Sequence, residues 1–265
     1  MRTLSLPRLM LIADGFASGR VQQTAGDVQR QVVALVEAGL SFVQLRDHAA
    51  SDELFRTTAR ELVEHIRSIR SELIVSVNSR VDVADELHSG LHLGRKIVKP
   101  VSATARLHSS SPFRHPSSRH VAGHPLERET VESPRQGNTR AERGGGVLLQ
   151  NVIEASGGRS RPLGFSAHSF EDIQHAATND FDFATFSPIF PTQTHPETSA
   201  VGIDALMKVC ASVSDLSLFA LGGITPERTE ACRDAGSFGV AVLSDLLDAA
   251  DPVKRLAAYR ERGVL

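Results

Sequence analysis

The sequence lacks an excess of charge of either sign: 29 Lys and Arg stand against 31 Asp and Glu, for a formal net charge of −2. A polyanion partner usually selects a strong positive balance, so nucleic acid is excluded as the expected ligand. Long apolar runs are missing too. The longest, such as 9–13 and 238–243, are strand-sized and fall far short of the roughly 20 residues that span a bilayer, so no membrane partner is expected. Arg2 and Arg8 occur near the amino terminus without the sustained apolar stretch of a secretory signal, which predicts a cytoplasmic protein. Cysteine is scarce. Cys210 and Cys232 lie in helix-like stretches without metal-ligand spacing, and read as two small buried hydrophobes or as a single bridge.

What is present is an alternation. Short β-branched or apolar runs at 9–13, 42–45, 73–77, 90–93, 163–165, 181–186, 217–221 and 238–243 are separated by longer segments of helical period, the signature of βαβ units and a parallel sheet. Eight such runs in 265 residues fit one (β/α)₈ TIM barrel over 1–265, a fold that needs roughly 250 residues. Residues 24–38 place Val28, Val32, Leu35 and Val36 on one face, and 52–69 do so with Leu54, Phe55, Ala59, Leu62, Val63 and Ile66. Ser169 before Glu171 and Asp172, and Thr225 before Pro226, mark two later helix starts.

The stretch 97–161, rich in Ser, His, Pro, Arg and Gly, breaks the rhythm after the fourth strand. Such a low-complexity insertion buries too little apolar surface to offset its ordering entropy, so most of it is expected to stay mobile, apart from a helix near 147–155. His108, His115, His120 and His124 within it lack the tight ligand spacing of a structural zinc site.

In a barrel of this kind the chemistry sits where loops leave the carboxyl ends of the strands, with phosphate commonly held after strands seven and eight. Gly222 and Gly223 follow the seventh strand and let backbone amides approach a phosphate, while Ser244 follows Leu243 at the end of the eighth. Taken singly, the glycines suit a ligand-free tight turn equally well and Ser244 a helix cap. Gln44 and Arg46, Asn78, His92, Ser166 and His168 fall at the ends of strands two to five. Arg46 could equally pair with Asp47 or another rim acid, Asn78 could serve a turn, and His168 could cap a helix. A near-neutral imidazole at His168 is nevertheless placed to move protons. Pro188 and Pro191 stiffen the loop after strand six and aim Thr192 and Thr194, whose hydroxyls could also satisfy loop backbone.

The segments Val43-Gln44-Leu45-Arg46, Val77-Asn78-Ser79-Arg80-Val81-Asp82, Leu91-His92-Leu93-Gly94, Gly164-Phe165-Ser166-Ala167-His168, 187–194, Gly202-Ile203-Asp204-Ala205-Leu206, Leu221-Gly222-Gly223-Ile224 and Gly239-Val240-Ala241-Val242 occur in that order on both sides of the insertion. Together they resemble the thiamine phosphate synthase and thiazole tautomerase superfamily. The resemblance implies a thiazole phosphate held by Gly223, Leu243 and Ser244, with Gly222, Ser166, Thr192 and Thr194 nearby. In the synthase branch Gln44, Arg46, Asn78 and His92 would face an aminopyrimidine diphosphate, whose departure leaves a pyrimidinyl-methyl cation for the thiazole nitrogen to capture.

That branch places an Asp after the third-strand Asn and another acid after His-Leu-Gly as hard ligands for Mg²⁺. Here Ser79 stands at the first position and Arg95-Lys96-Ile97 at the second, and the branch's two lysines are replaced by His48 and His195. No cofactor is therefore expected, Mg²⁺ entering only if the chain is a synthase. The preferred expectation is a tautomerase-like isomerase in which His168 shuttles a proton, with Arg46 as the second catalytic candidate. The alternative is a synthase (a transferase) in which Arg95, Lys96 and His195 contact the diphosphate as fixed cations. A non-catalytic phosphate-ligand binder or regulator is a third reading, and a homo-oligomer is compatible with all three.

Overall fold

The computed structural model describes residues 5–94, 161–192 and 197–265. Eight parallel strands close in chain order: β1 (Leu9–Asp14), β2 (Phe42–Arg46), β3 (Ile74–Asn78), β4 (Gly90–Gly94), β5 (Leu163–Ala167), β6 (Phe183–Phe186), β7 (Ser217–Leu221) and β8 (Gly239–Val242). Closure pairs β8 with β1, setting Leu9 beside Val240 and Leu11 beside Val242. The expected TIM barrel is the fold that forms. Each strand has one face in the barrel interior and the other under helices, which is why its sequence is almost continuously apolar.

The interior is filled low down by aromatic rings. Phe42, Phe183 and Phe219 meet edge to face with centroids 5.5, 5.9 and 5.8 Å apart. Gly164 completes this layer, because a β-carbon there would overlap the rings of Phe183 and His92. Phe42 stands two residues before Gln44, so along β2 the aromatic layer gives way to polar side chains toward the carboxyl end.

Among the described residues the outer layer is α1 (Ala25–Glu37), α2 (Asp52–Ile69), α3 (Val81–Glu86), α4 (Phe170–Thr178), α5 (Gly202–Ser212), a 3₁₀ turn (Pro226–Arg228), α6 (Thr229–Asp234), α7 (Ser244–Leu247) and α8 (Pro252–Glu261). Helix α1 starts on a reciprocal capping box between Thr24 and Asp27. Its predicted apolar stripe is buried as read. In α2 the stripe is buried except Leu54, which turns outward and is 44% exposed. Ser169 caps α4 as expected, accepting from the Asp172 amide at 3.2 Å. Thr225 makes no side-chain cap bond, and Pro226 opens a 3₁₀ turn that runs straight into α6.

Two apolar runs overshoot their strands. Phe181 lies before β6, its ring 5.0 Å from Phe165, and Phe238 lies before β8 beneath the Arg8 guanidinium. Both rings pack against other aromatic rings, and the Phe238 amide also donates to the Leu218 carbonyl of β7 at 2.8 Å. Cys210 and Cys232 are free thiols, and burial pushes both up to about 11. The insertion, its expected helix and its histidines lie outside the described residues, save Arg161, which holds the Ala84 carbonyl at 2.9 Å. Among the described residues no helix is long and apolar enough to cross a membrane.

Candidate active site

Because all strands run parallel, their carboxyl ends share one rim. Asp14 on β1 stands directly across from Arg46 on β2, and Arg46 Nε donates to Asp14 Oδ1 at 2.9 Å. The partner of Arg46 is thus this rim acid and not Asp47. Asp47 turns the other way and accepts from the amides of Ala17, Ser18, Ala49 and Ala50 and from the Ser18 hydroxyl. Burial pushes its carboxyl up, but these hydrogen bonds outweigh burial and hold it below its ordinary value. Asp47 therefore fixes the loops around the mouth.

A row of polar side chains continues from β2 to β5. Gln44 Nε2 lies 3.4 Å from Asn78 Oδ1, Asn78 pairs in register with His92, and His92 Nε2 lies 2.9 Å from Ser166 Oγ. His92 is buried, with its Nδ1 unpartnered among the described residues. Burial, with the Arg46 charge added, lowers it to about 3, so the ring is neutral at physiological pH. A bare Nδ1 lone pair is less costly to bury than an unpaired N–H, which favours the proton on Nε2. Ser166 then accepts from His92, leaving its own O–H to donate toward the mouth.

His168 lies one residue beyond β5 and is exposed. Its Nδ1 is 3.0 Å from the Ser187 carbonyl oxygen and 3.3 Å from the Ser187 hydroxyl; the carbonyl can only accept, so that contact requires the proton on Nδ1. Its backbone amide donates to Asp172 at 3.0 Å while Ser169 caps α4. The imidazole is accordingly not a helix cap. Ser187 tethers the ring through Nδ1.

After β7, Gly222 and Gly223 have φ of +96° and +62°. A β-carbon on the first would meet Pro188 Cα at 2.7 Å, and one on the second the Pro191 carbonyl at 2.5 Å. Both glycines are therefore needed for the turn to pack under the loop after β6. Arg228 holds the Gly223 carbonyl at 2.5 Å and stacks over Phe190. The register Leu221 with Ala241 carries the Gly223 turn and the Leu243–Ser244 turn to adjacent positions on the rim. Among the described residues the amides of Gly223 and Ser244 meet no protein acceptor. Thr192 lies at the edge of the described loop, while Thr194, His195, Arg95 and Lys96 lie outside the described residues.

For Mg²⁺ the described donor set does not fit. Ser79 offers a hydroxyl where the resemblance expects an acid, Asp14 is occupied by Arg46, and no three His, Cys, Asp or Glu gather among the described residues. Sequence reasoning also passed over several residues. Asp14 was detectable as the polar residue ending the first apolar run, and Ser187 lies in the 187–194 segment, but its contact with His168 and the part played by Arg228 carried no sequence signal.

Fold and rim define a class: a single α/β barrel whose polar mouth ends in two neighbouring turns with unpaired amides. Within that class the chain belongs to the thiamine monophosphate synthase family, whose model matches residues 16–111 and 149–246. It is similar to the putative thiamine-phosphate synthase 2 of Aquifex aeolicus, 42% identical over 86 residues, 32% of this chain and 46% of that one. It is also similar to a thiamine-phosphate synthase of Prochlorococcus marinus, 24% identical over 233 residues, 88% of this chain and 52% of that one. The chain spans about half the length of the curated relatives it matches. Thiamine phosphate pyrophosphorylase from Pyrococcus furiosus shares the fold, with a TM-score of 0.63 at 19% identity over 96% of this chain and 94% of that one.

Proposed function

We propose that the chain is an enzyme of thiamine assembly that binds a thiazole phosphate at the Gly223 and Ser244 turns and isomerises a carboxylated thiazole ring through His168. One observation carries this reading: His168 Nδ1 lies 3.0 Å from the Ser187 carbonyl oxygen at the rim, and a proton on Nδ1 in that contact leaves Nε2 as the ring's acceptor. Nε2 takes a proton from one ring position and returns it at another, so no atom is gained or lost and no metal is required. The unpaired turn amides supply the phosphate contacts, and Ser166 and Thr192 lie along the same rim.

A second reading, synthase activity, is supported by the names of the relatives and by the Gln44–Asn78–His92–Ser166 row, which offers a second ring donors and acceptors. The two readings differ in product. Purified protein is given aminopyrimidine diphosphate and thiazole phosphate, with and without Mg²⁺, and separately the carboxylated thiazole phosphate alone. The expected outcome is isomerised thiazole and no thiamine phosphate; thiamine phosphate in the first mixture replaces the isomerase reading with the synthase one, and the absence of both products leaves a non-catalytic binder.

A further inference from the structure

One helix grips both turns of the proposed phosphate site. Arg255 and Tyr259 stand four residues apart on one face of α8, and each reaches toward the turn after β7 as well as the turn after β8. Arg255 donates Nε and Nη2 to the two oxygens of Asp245, at 2.9 and 2.6 Å, and its Nη1 lies 3.4 Å from Glu227. Tyr259 donates its hydroxyl to Asp245 at 2.6 Å, and the same oxygen lies 3.4 Å from the Ile224 carbonyl. Asp245 is the residue after Ser244, and Ile224 is the residue after Gly223. A hydroxyl has one proton, so Asp245 receives it and the Ile224 contact is one of packing. Burial, reinforced by the Asp245 carboxylate, drives the phenol well above the usual tyrosine range, so it remains a donor.

We propose that Tyr259 is a positioning residue which, with Arg255, clamps the β7 and β8 turns at the spacing a phosphate needs to bridge the Gly223 and Ser244 amides. This rests on the phosphate reading given above. It explains why a side chain away from the mouth, the only tyrosine of the sequence, is fully buried with its hydroxyl between two turns. Arg255 is the second arm of the clamp, since Glu227 lies in the 3₁₀ turn beyond the β7 turn and Asp245 in α7 beyond the β8 turn.

Inorganic phosphate is the probe, titrated into the full chain while the amide resonances of Gly223 and Ser244 are followed. Tyr259→Phe keeps the ring and removes only the hydroxyl; Arg255→Gln breaks the other arm from a partly exposed position, and decides alone should the first variant fail to fold. The wild type is expected to move both amides along one binding curve, with each folded variant binding phosphate about fivefold to tenfold more weakly. A merely structural tyrosine would lower the unfolding midpoint and leave that curve unchanged. Folded variants that bind phosphate as tightly as the wild type overturn the clamp while the site reading stands. Phosphate that moves neither amide of the wild type overturns the site reading, and the clamp with it.

Discussion

His92 sits where the aromatic floor of the barrel meets its polar mouth, and it answers to both. Phe183 and the Cα of Gly164 pack against its ring, while Nε2 meets Ser166. The neutral ring this enforces has a consequence for acid stability. With a folded value of about 3, below the ordinary 6.5, the unfolded chain binds more protons at this residue between those limits. Stability from a neutral His92 is therefore complete above pH 6.5 and declines as pH falls toward 3. Comparing urea unfolding of the wild type and His92→Asn at pH 7 and pH 5, the wild type is expected to lose about 2 kcal/mol more than the variant. Parallel losses in the two proteins would mean that the ring is not held neutral. Arg46 shows the limit of reading at this scale: the sequence left its partner open between Asp47 and another rim acid, and the strand register supplies the rim acid Asp14, 32 residues earlier.

At the scale of elements the mouth is held by loops tied to one another. Helix α4 begins on Ser169, and Asp172 of its first turn holds the His168 amide, so the cap also fixes the backbone of the residue proposed to move the proton. Ser169→Ala is expected to cost about 1 kcal/mol of stability, read as a lower urea midpoint at unchanged slope. Turnover should fall by less than about tenfold, since Asp172 and Ser187 still hold His168. A larger fall in turnover without loss of stability would give Ser169 a role in the site itself. Such caps are local and legible, as Ser169 was. The start at Thr225 was legible too, though Pro226 opens it with a 3₁₀ turn, which its ring suits as well as the first turn of an α-helix.

For the molecule as a whole, the barrel was legible because its period is written eight times over: a strand buried on both faces must be apolar throughout, and the helices between must carry one apolar stripe. The errors fell at strand ends. Phe181 and Phe238 extend apolar runs because they pack against Phe165 and Phe219, and nothing in a linear pattern separates that from pairing. The mouth was legible in its strand-end residues, which follow from position alone, and illegible in the contacts that closure creates: Asp14 with Arg46, Ser187 with His168, Tyr259 with Asp245. What closure delivers is His168, held at Nδ1 by Ser187, on the rim that also carries two turns whose amides are unpaired among the described residues. The rate of thiazole phosphate isomerisation by His168→Ala, set against the wild type at saturating substrate, tests this most directly. The account predicts a loss in kcat on the order of 10²- to 10⁴-fold with KM little changed, because phosphate binding is left intact; a variant that turns over as fast as the wild type would contradict it.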